Sequence, residues 1–209
     1  MQIFSRIGLF YGIILIVCCI SSPVIAADLT ADEYYNQGTN LVNLGKYNEA
    51  ISSFDNALRI KPNDYEAWYN RGMAYAKLVQ YNDAIASFDK ALQIKPDYYG
   101  GWYNRGTLYV KLGQYNDALI SYDKAVKIEP ENPDAWGGLG TAYLNLGRYD
   151  EAVASFDKAL KINPNTLLAQ KNRELALKLK TQTLKAPLIY APFGAIAIMV
   201  ALFVWQRSR

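Results

Sequence analysis

The residues with the most reactive side chains are few. Cys18 and Cys19 are the only thiols in a chain of 209 residues that has no histidine at all. Both lie in the uncharged run 7–20 (IGLFYGIILIVCCI). If that run is removed on export, no thiol remains, and thiolate and imidazole chemistry, catalytic or metal-binding, is excluded. Asp55, Asp89, Asp123 and Asp157 are the carboxylates that recur, each one residue after an aromatic. Such a series reads as a solvated face rather than an acid–base pair, because general acid–base catalysis needs one carboxylate set apart from its equivalents. No glycine-rich phosphate loop follows a strand pattern. The expectation is a protein that is not an enzyme, with no cofactor, no metal and no small-molecule substrate.

Charge narrows the partners. All 19 acids lie within 28–185, and of the 22 Lys and Arg only Arg6, Arg207 and Arg209 lie outside it. The central stretch is therefore neutral, and the net charge of +3 belongs to the two ends. A nucleic-acid footprint needs its basic excess on one face of the folded domain, so no nucleic acid is expected.

The ends predict targeting. Residues 1–26 have a short positive start, an apolar stretch, a break at Ser21-Ser22-Pro23 and small residues at Ala26-Ala27 that suit cleavage after Ala26. At the other end, 187–205 (PLIYAPFGAIAIMVALFVW) holds 19 residues without a charge. At 1.5 Å per residue it matches the roughly 30 Å of bilayer hydrocarbon. Tyr190 and Trp205 suit the two interfaces, and the basic tail 206–209 follows. An exported N-terminus puts the middle of the chain outside. Lys171, Arg173, Lys178, Lys180 and Lys185 form a basic cluster before the span that the positive-inside tendency would place inside. The order of segments favours the outward reading, and the opposite one stays open as a cytosol-facing, tail-anchored receptor.

Between the ends the chain repeats itself. Trp68, Trp102 and Trp136 are spaced by 34, with Tyr34 one unit earlier, and Gly38, Gly72, Gly106 and Gly140 keep the same interval. Ala50, Ala84, Ala118 and Ala152 do so too, as do Phe54, Phe88, Tyr122 and Phe156, and Pro62, Pro96, Pro130 and Pro164. A fixed period is the signature of stacked supersecondary units. Units are expected at 31–64, 65–98, 99–132 and 133–166. Each reads as two antiparallel helices that approach closely at the Gly and Ala positions, with Pro ending the second. Gly45, Gly113 and Gly147 hold a left-handed stop position between the helices. Val79 occupies that place in the second unit, which predicts a different turn there. Asn48, Asn82, Asn116 and Asp150 are expected to cap the second helices. A further amphipathic helix at 167–185 is expected to cover the last unit with its apolar side. The fold class is all-α: a right-handed superhelical solenoid of four hairpins plus a capping helix, flanked by a signal sequence and a C-terminal transmembrane helix.

This pattern resembles the tetratricopeptide-repeat family at its signature positions in every unit from 31 to 166. Arg71 and Arg105 depart from the usual Leu before the glycine, and the phrase WYNRG is similar to many prokaryotic members. The ending also resembles the tripartite sorting tails of some prokaryotic, especially archaeal, surface proteins. The family resemblance implies a concave face lined mainly by the first helix of each unit, docking an extended peptide or a helix of a protein partner. On this chain that lining falls on Tyr35, Tyr69 and Tyr103, on Asn36, Asn70 and Asn104, and on Asn43, Lys77, Lys111 and Asn145. Tyr supplies flat apolar area with a polar tip, and Asn pairs with a backbone donor and acceptor. The carboxylate clamp of the Hsp70/Hsp90-binding members does not carry over, because Asp32, Glu66 and Asp134 would repel an acid. In the fourth unit Gly137-Gly138 replaces Tyr-Asn, which either opens room for a bulky side chain or merely loosens the helix. The function expected is a membrane-anchored adaptor or scaffold; a homo-oligomeric structural subunit of a surface or secretion assembly is the alternative.

Overall fold

One turn, used four times, converts the 34-residue period into helix pairs. At the end of the first helix Lys46 N–H donates to Leu41 O at 2.9 Å and Gly45 N–H to Val42 O at 3.0 Å. These are the two bonds of a Schellman ending, with the residue at the left-handed position between them. The same pair recurs at Val79 and Gln80, at Gly113 and Gln114, and at Gly147 and Arg148.

The computed structural model describes residues 29–185, so the proposed signal at 1–26, span at 187–205 and tail at 206–209 lie outside the described residues. Among the described residues the chain folds into nine helices: α1 (Ala31–Asn43), α2 (Tyr47–Ile60), α3 (Tyr65–Lys77), α4 (Tyr81–Ile94), α5 (Tyr99–Lys111), α6 (Tyr115–Ile128), α7 (Pro133–Asn145), α8 (Tyr149–Ile162) and α9 (Leu167–Lys185). Each packs on its neighbours in the chain, and α1 also meets α3, α5 meets α7, and α7 meets α9. None of them is long and apolar enough to cross a membrane.

Two expectations are corrected. The turn at Val79 does not differ: its φ is 63°, beside 72° to 74° for the three glycines. The Schellman bonds hold a β-branched residue in the left-handed region, where an L side chain costs about 1–2 kcal/mol. Asn48, Asn82, Asn116 and Asp150 do not cap. The residues at the N-cap position are Lys46, Gln80, Gln114 and Arg148, with no side-chain cap. The residue that closes the first helix is the one that opens the second, so each Asn or Asp already lies inside the helix. Of the odd-numbered helices, α1, α3 and α7 have side-chain caps. Thr30 and Glu33 form a reciprocal box, and Asp64 accepts from Glu66 N and Ala67 N.

Inside each pair a ring meets a glycine. A Cβ built on Gly38, Gly72 or Gly140 would lie 2.7 Å from the ring of Phe54, Phe88 or Phe156, and one on Gly106 would lie 3.0 Å from Tyr122. The three phenylalanines are fully buried. Burial of that kind stabilises by about 1.5–3 kcal/mol per side chain. Ser53, Ser87, Ser121 and Ser155, buried beside them, donate to the carbonyl four residues back.

Between pairs, Trp68, Trp102 and Trp136 donate their indole N–H to the carbonyls of Pro62, Pro96 and Pro130 at 2.8 Å, and the Gln170 side-chain amide donates to the carbonyl of Pro164 at 2.7 Å. Arg71 Nε lies 3.1 Å from Asp55, and Arg105 Nε lies 2.9 Å from Asp89. Each guanidinium also lies over a Trp and a Tyr ring, Trp68 and Tyr75 for Arg71, Trp102 and Tyr109 for Arg105. The recurring aspartates are thus links between helices and not a purely solvated series. At the third junction Leu139 stands where the arginines would, and Asp123 pairs with Lys127 on its own helix. The capping helix docks through Ala169 and Ala176, while Leu167, Leu168, Leu175 and Leu177 stay exposed. The helix therefore covers α8 as expected, but with its alanines, and these leucines take no part in that contact. Arg173 pairs with Asp157 and Lys180 with Asp150, which takes two members of the basic cluster into the docking of the cap.

Val79→Gly should stabilise the fold by about 1 kcal/mol, because glycine takes positive φ without a Cβ clash; a urea midpoint no higher than that of the parent would contradict it. Two glycine-to-alanine changes should have opposite signs. Gly72→Ala drives a methyl into Phe88 and should cost about 1–3 kcal/mol. Gly137→Ala meets nothing within 4 Å and should gain about 1 kcal/mol of helix propensity. Thermal melts of the two variants check this pair.

Candidate functional site

The first residues of the odd helices are positioned by the ring-into-glycine contact, which fixes how far each helix stands from its partner. One turn before each of Gly38, Gly72 and Gly106 lies a Tyr-Asn pair. The structure joins these pairs across successive hairpins: Asn70 Nδ2 donates to Tyr35 Oη, and Asn104 Nδ2 donates to Tyr69 Oη, both at 2.8 Å and part-buried. The tyrosines also pack on the core rings, Tyr35 on Phe54, Tyr69 on Phe88 and Tyr103 on Tyr122, with centroids 5.5 to 6.0 Å apart. One amide proton of Asn70 and of Asn104 is thus already used inside the chain. Each joined pair still holds the phenol O–H as a donor and the amide oxygen as an acceptor.

The remaining sequence-derived residues divide. Lys77, Asn104 and Lys111 come together around one depression of about 280 Å³ with Met73, Tyr81 and Leu108. Lys111 Nζ lies 5.9 Å from the centroid of the Tyr81 ring. Asn36 and Asn43 are exposed. Asn145 is exposed as well, and its Nδ2 folds back onto Thr141 O at 2.8 Å, which places it on its own helix rather than in a shared cluster.

Sequence reasoning missed three tyrosines of this surface and the hydrogen bond of a fourth, Tyr122, buried beneath it. Tyr98 occupies the cap position that Thr30, Asp64, Asn132 and Thr166 hold elsewhere, and it makes no cap. Its ring turns edge-on to Tyr65 at 5.3 Å and Tyr69 at 5.0 Å, over Gly100. Lys95 donates to Tyr65 Oη and lies over the Tyr65 ring. Tyr99 stacks on Tyr103 at 5.7 Å with an interplanar angle of 12°. The signal for Tyr98 was in the chain, since an aromatic at a capping position forfeits a cap and must gain contact elsewhere. Tyr122 is the fourth: its hydroxyl lies 3.1 Å from Thr107 Oγ1. Thr107 already donates to Tyr103 O, so Tyr122 is the donor in that bond.

Burial raises the phenol pKa across the surface. It pushes Tyr122 up to about 12, and Tyr98 up to about 12 with help from neighbouring Tyr69 and Tyr65. Tyr35, Tyr69 and Tyr103 shift the same way, also chiefly by burial, with Asp134 adding to the effect at Tyr103. A phenol is already protonated near neutrality, and the upward shift extends its role as a donor to more alkaline pH. Among the described residues no cluster of His, Cys, Asp or Glu could hold a metal. The chemistry available is hydrogen bonding and apolar contact with an extended surface.

Comparison with curated proteins gives no match. Solved structures do match. MamA 41-end from Desulfovibrio magneticus RS-1 superposes with a TM-score of 0.64 at 25% identity, over 74% of this chain and 93% of that one. YrrB, described as a TPR protein with an unusual peptide-binding site, gives 0.66 at 27% identity over 72% and 78%. A tetratricopeptide repeat protein from Parabacteroides merdae ATCC 43184 gives 0.68 at 25% identity over 73% and 60%. The family pattern of the tetratricopeptide repeat matches residues 35–99 and 103–165, which is more than half of the sequence. With helix pairs, turns and ring-into-glycine contacts recurring in step with that match, the chain belongs to the tetratricopeptide-repeat family.

Proposed function

We propose that this chain is a membrane-anchored interaction module that binds an extended peptide of a protein partner along the face of α1, α3, α5 and α7. The observation that carries the reading is the joined Tyr-Asn series. Tyr35–Asn70 and Tyr69–Asn104 are held rigid by their own hydrogen bonds, and each pair still offers one donor and one acceptor. An extended backbone presents donors and acceptors in alternation and finds both here, with tyrosine rings as apolar contact area. Groups held in place before binding lose little freedom when the peptide arrives, which favours affinity. The similarity to YrrB, at 27% identity, supports a peptide as the ligand class. The residues that carry contact are Tyr35, Asn36, Tyr69, Asn70, Lys77, Tyr103, Asn104, Lys111 and Asn145.

The anchor is the apolar segment 187–205, and the repeats face outward from the membrane after export directed by 1–26. Two of the basic residues that argued for the opposite orientation, Arg173 and Lys180, have carboxylate partners on α8. Their presence before the span is accounted for by the docking of α9.

Peptides selected from a display library on the parent protein should lose about tenfold in affinity for Lys77→Glu with Lys111→Glu. These side chains are exposed, so the fold should be unaffected. Lys124→Glu on α6 should leave binding unchanged. Tyr69→Ala with Asn70→Ala should abolish binding, with a melt recorded because Tyr69 also packs on Phe88. Equal affinity of parent and the double charge reversal would sink the groove reading. Orientation is checked with Asp97→Cys, an exposed position between α4 and α5, and a membrane-impermeant maleimide on intact cells. Labelling before lysis is expected; labelling only after lysis would reverse the topology and favour the cytosol-facing receptor.

A further inference from the structure

At the α7 end of the same face lies a depression of about 180 Å³, lined by Tyr103, Tyr122, Phe156, Gly137, Gly138 and exposed Leu168 of α9, among others. For scale, an engineered apolar cavity of roughly 150 Å³ takes up benzene. The opening follows from two glycines that have different causes. A Cβ on Gly138 would lie 2.5 Å from the ring of Tyr122, the aromatic of the preceding hairpin, so the position of that ring leaves no room for a side chain at 138. A Cβ on Gly137 would meet nothing within 4 Å. No packing contact requires the loss of a side chain there, although a glycine inside a helix weakens it. The empty place is the one that Tyr35, Tyr69 and Tyr103 fill in the preceding hairpins. Gly138 also removes the amide that would bond Tyr103 Oη, as Asn70 and Asn104 bond Tyr35 and Tyr69.

The charge beside the depression is negative. Asp134 lines it, and the ion pairs among the described residues do not include Asp134. Asp134 and Glu129 both act on the neighbouring Tyr99 phenol. No Lys or Arg lines the depression. Asp134 is exposed in the first turn of α7, so a cationic group brought in by a ligand would meet a solvent-screened carboxylate and gain a modest, orienting attraction.

We propose that this depression is the anchor pocket for one aromatic side chain of the partner peptide, and that a Lys or Arg flanking that side chain pairs with Asp134. The inference rests on the groove reading above and adds the partner's chemistry: a cationic–aromatic element. The aromatic ring takes the place left empty at Gly137, against Tyr103 and Leu168, with the buried Tyr122 and Phe156 forming the floor. Leu168, otherwise exposed, closes over it.

The test uses the full chain and three peptides: Gly-Lys-Phe-Lys-Gly, the same with Ala for Phe, and Gly-Gly-Phe-Gly-Gly. Titration followed by NMR should show the Phe peptide with Lys flanks binding at least tenfold more tightly than its Ala counterpart. Gly137→Tyr restores the residue of the other hairpins in open space. It should melt no lower than the parent and should weaken the Phe peptide at least tenfold. Asp134→Asn should weaken the Lys-flanked peptide about threefold or more and leave the Gly-flanked one unchanged. Equal binding of the Phe and Ala peptides overturns the pocket. Parent-like affinity in Gly137→Tyr overturns it too, and leaves the groove reading standing if Lys77→Glu with Lys111→Glu still disrupts selected peptides. Self-association that Gly137→Tyr abolishes, without Phe-peptide binding, overturns the proposal in favour of a second copy as occupant.

Discussion

Everything in this molecule depends on a ring pressed against a glycine. Phe54, Phe88, Tyr122 and Phe156 lie so close to Gly38, Gly72, Gly106 and Gly140 that no Cβ fits between them without movement. That contact sets the separation of the two helices in each hairpin, with buried Ala and Ser recurring beside the ring. Protein interiors are packed densely enough that such a separation is not adjustable. The face made by the odd helices inherits its spacing from it, because each surface tyrosine lies one turn from the glycine and leans on the same ring. The Tyr-Asn bonds between hairpins can recur because the distance beneath them recurs.

Linkage between hairpins is less uniform, and its variation is informative. Trp or Gln reaches a proline carbonyl at every junction from α3 to α9. The Arg–Asp link joins α2 to α3, α4 to α5 and α8 to α9, and is missing where Leu139 replaces Arg. Largely exposed ion pairs contribute little, yet Arg71 and Arg105 are mostly buried and rest on aromatic faces, so their guanidinium groups also fill space. At the third junction Leu139 is buried in a cluster with Tyr122 and Val126. That hairpin exchanges a polar link for apolar packing, beside the one core ring that carries a hydroxyl and the one odd helix that carries Gly-Gly in place of Tyr-Asn. These departures form a single local rearrangement. Tyr122 requires Gly138, and Gly138 deprives Tyr103 of its amide partner.

Much of this was legible in the chain. A period of 34 with fixed Trp, Gly, Ala, aromatic and Pro positions determined the helix pairs, their number and the elements α1 to α8, because each of those residues has a local conformational or size requirement that repeats with it. Capping was misread: Asn48 and its equivalents have the right residue type, but the shared closing-and-opening residue places them inside the helix. Val79 was misjudged for the opposite reason. A local penalty of about 1–2 kcal/mol does not decide a turn that two backbone hydrogen bonds and the packing of two helices hold in place.

The candidate surface divides along the same line. Tyr35, Tyr69, Tyr103 and their asparagines could be named because the family resemblance implies a surface lined by the first helix of each unit. Their bonding to each other could not, since Asn70 and Tyr35 are 35 residues apart and meet only when hairpins stack. Tyr98 folding over Gly100, Leu168 standing exposed beside Gly137, and Arg173 and Lys180 reaching the carboxylates of α8 are likewise contacts between elements. The sequence alone determined which residues form each helix and which positions must be small. Tertiary structure decided which polar groups satisfy one another and where space is left over, because both depend on how far apart neighbouring helices come to rest.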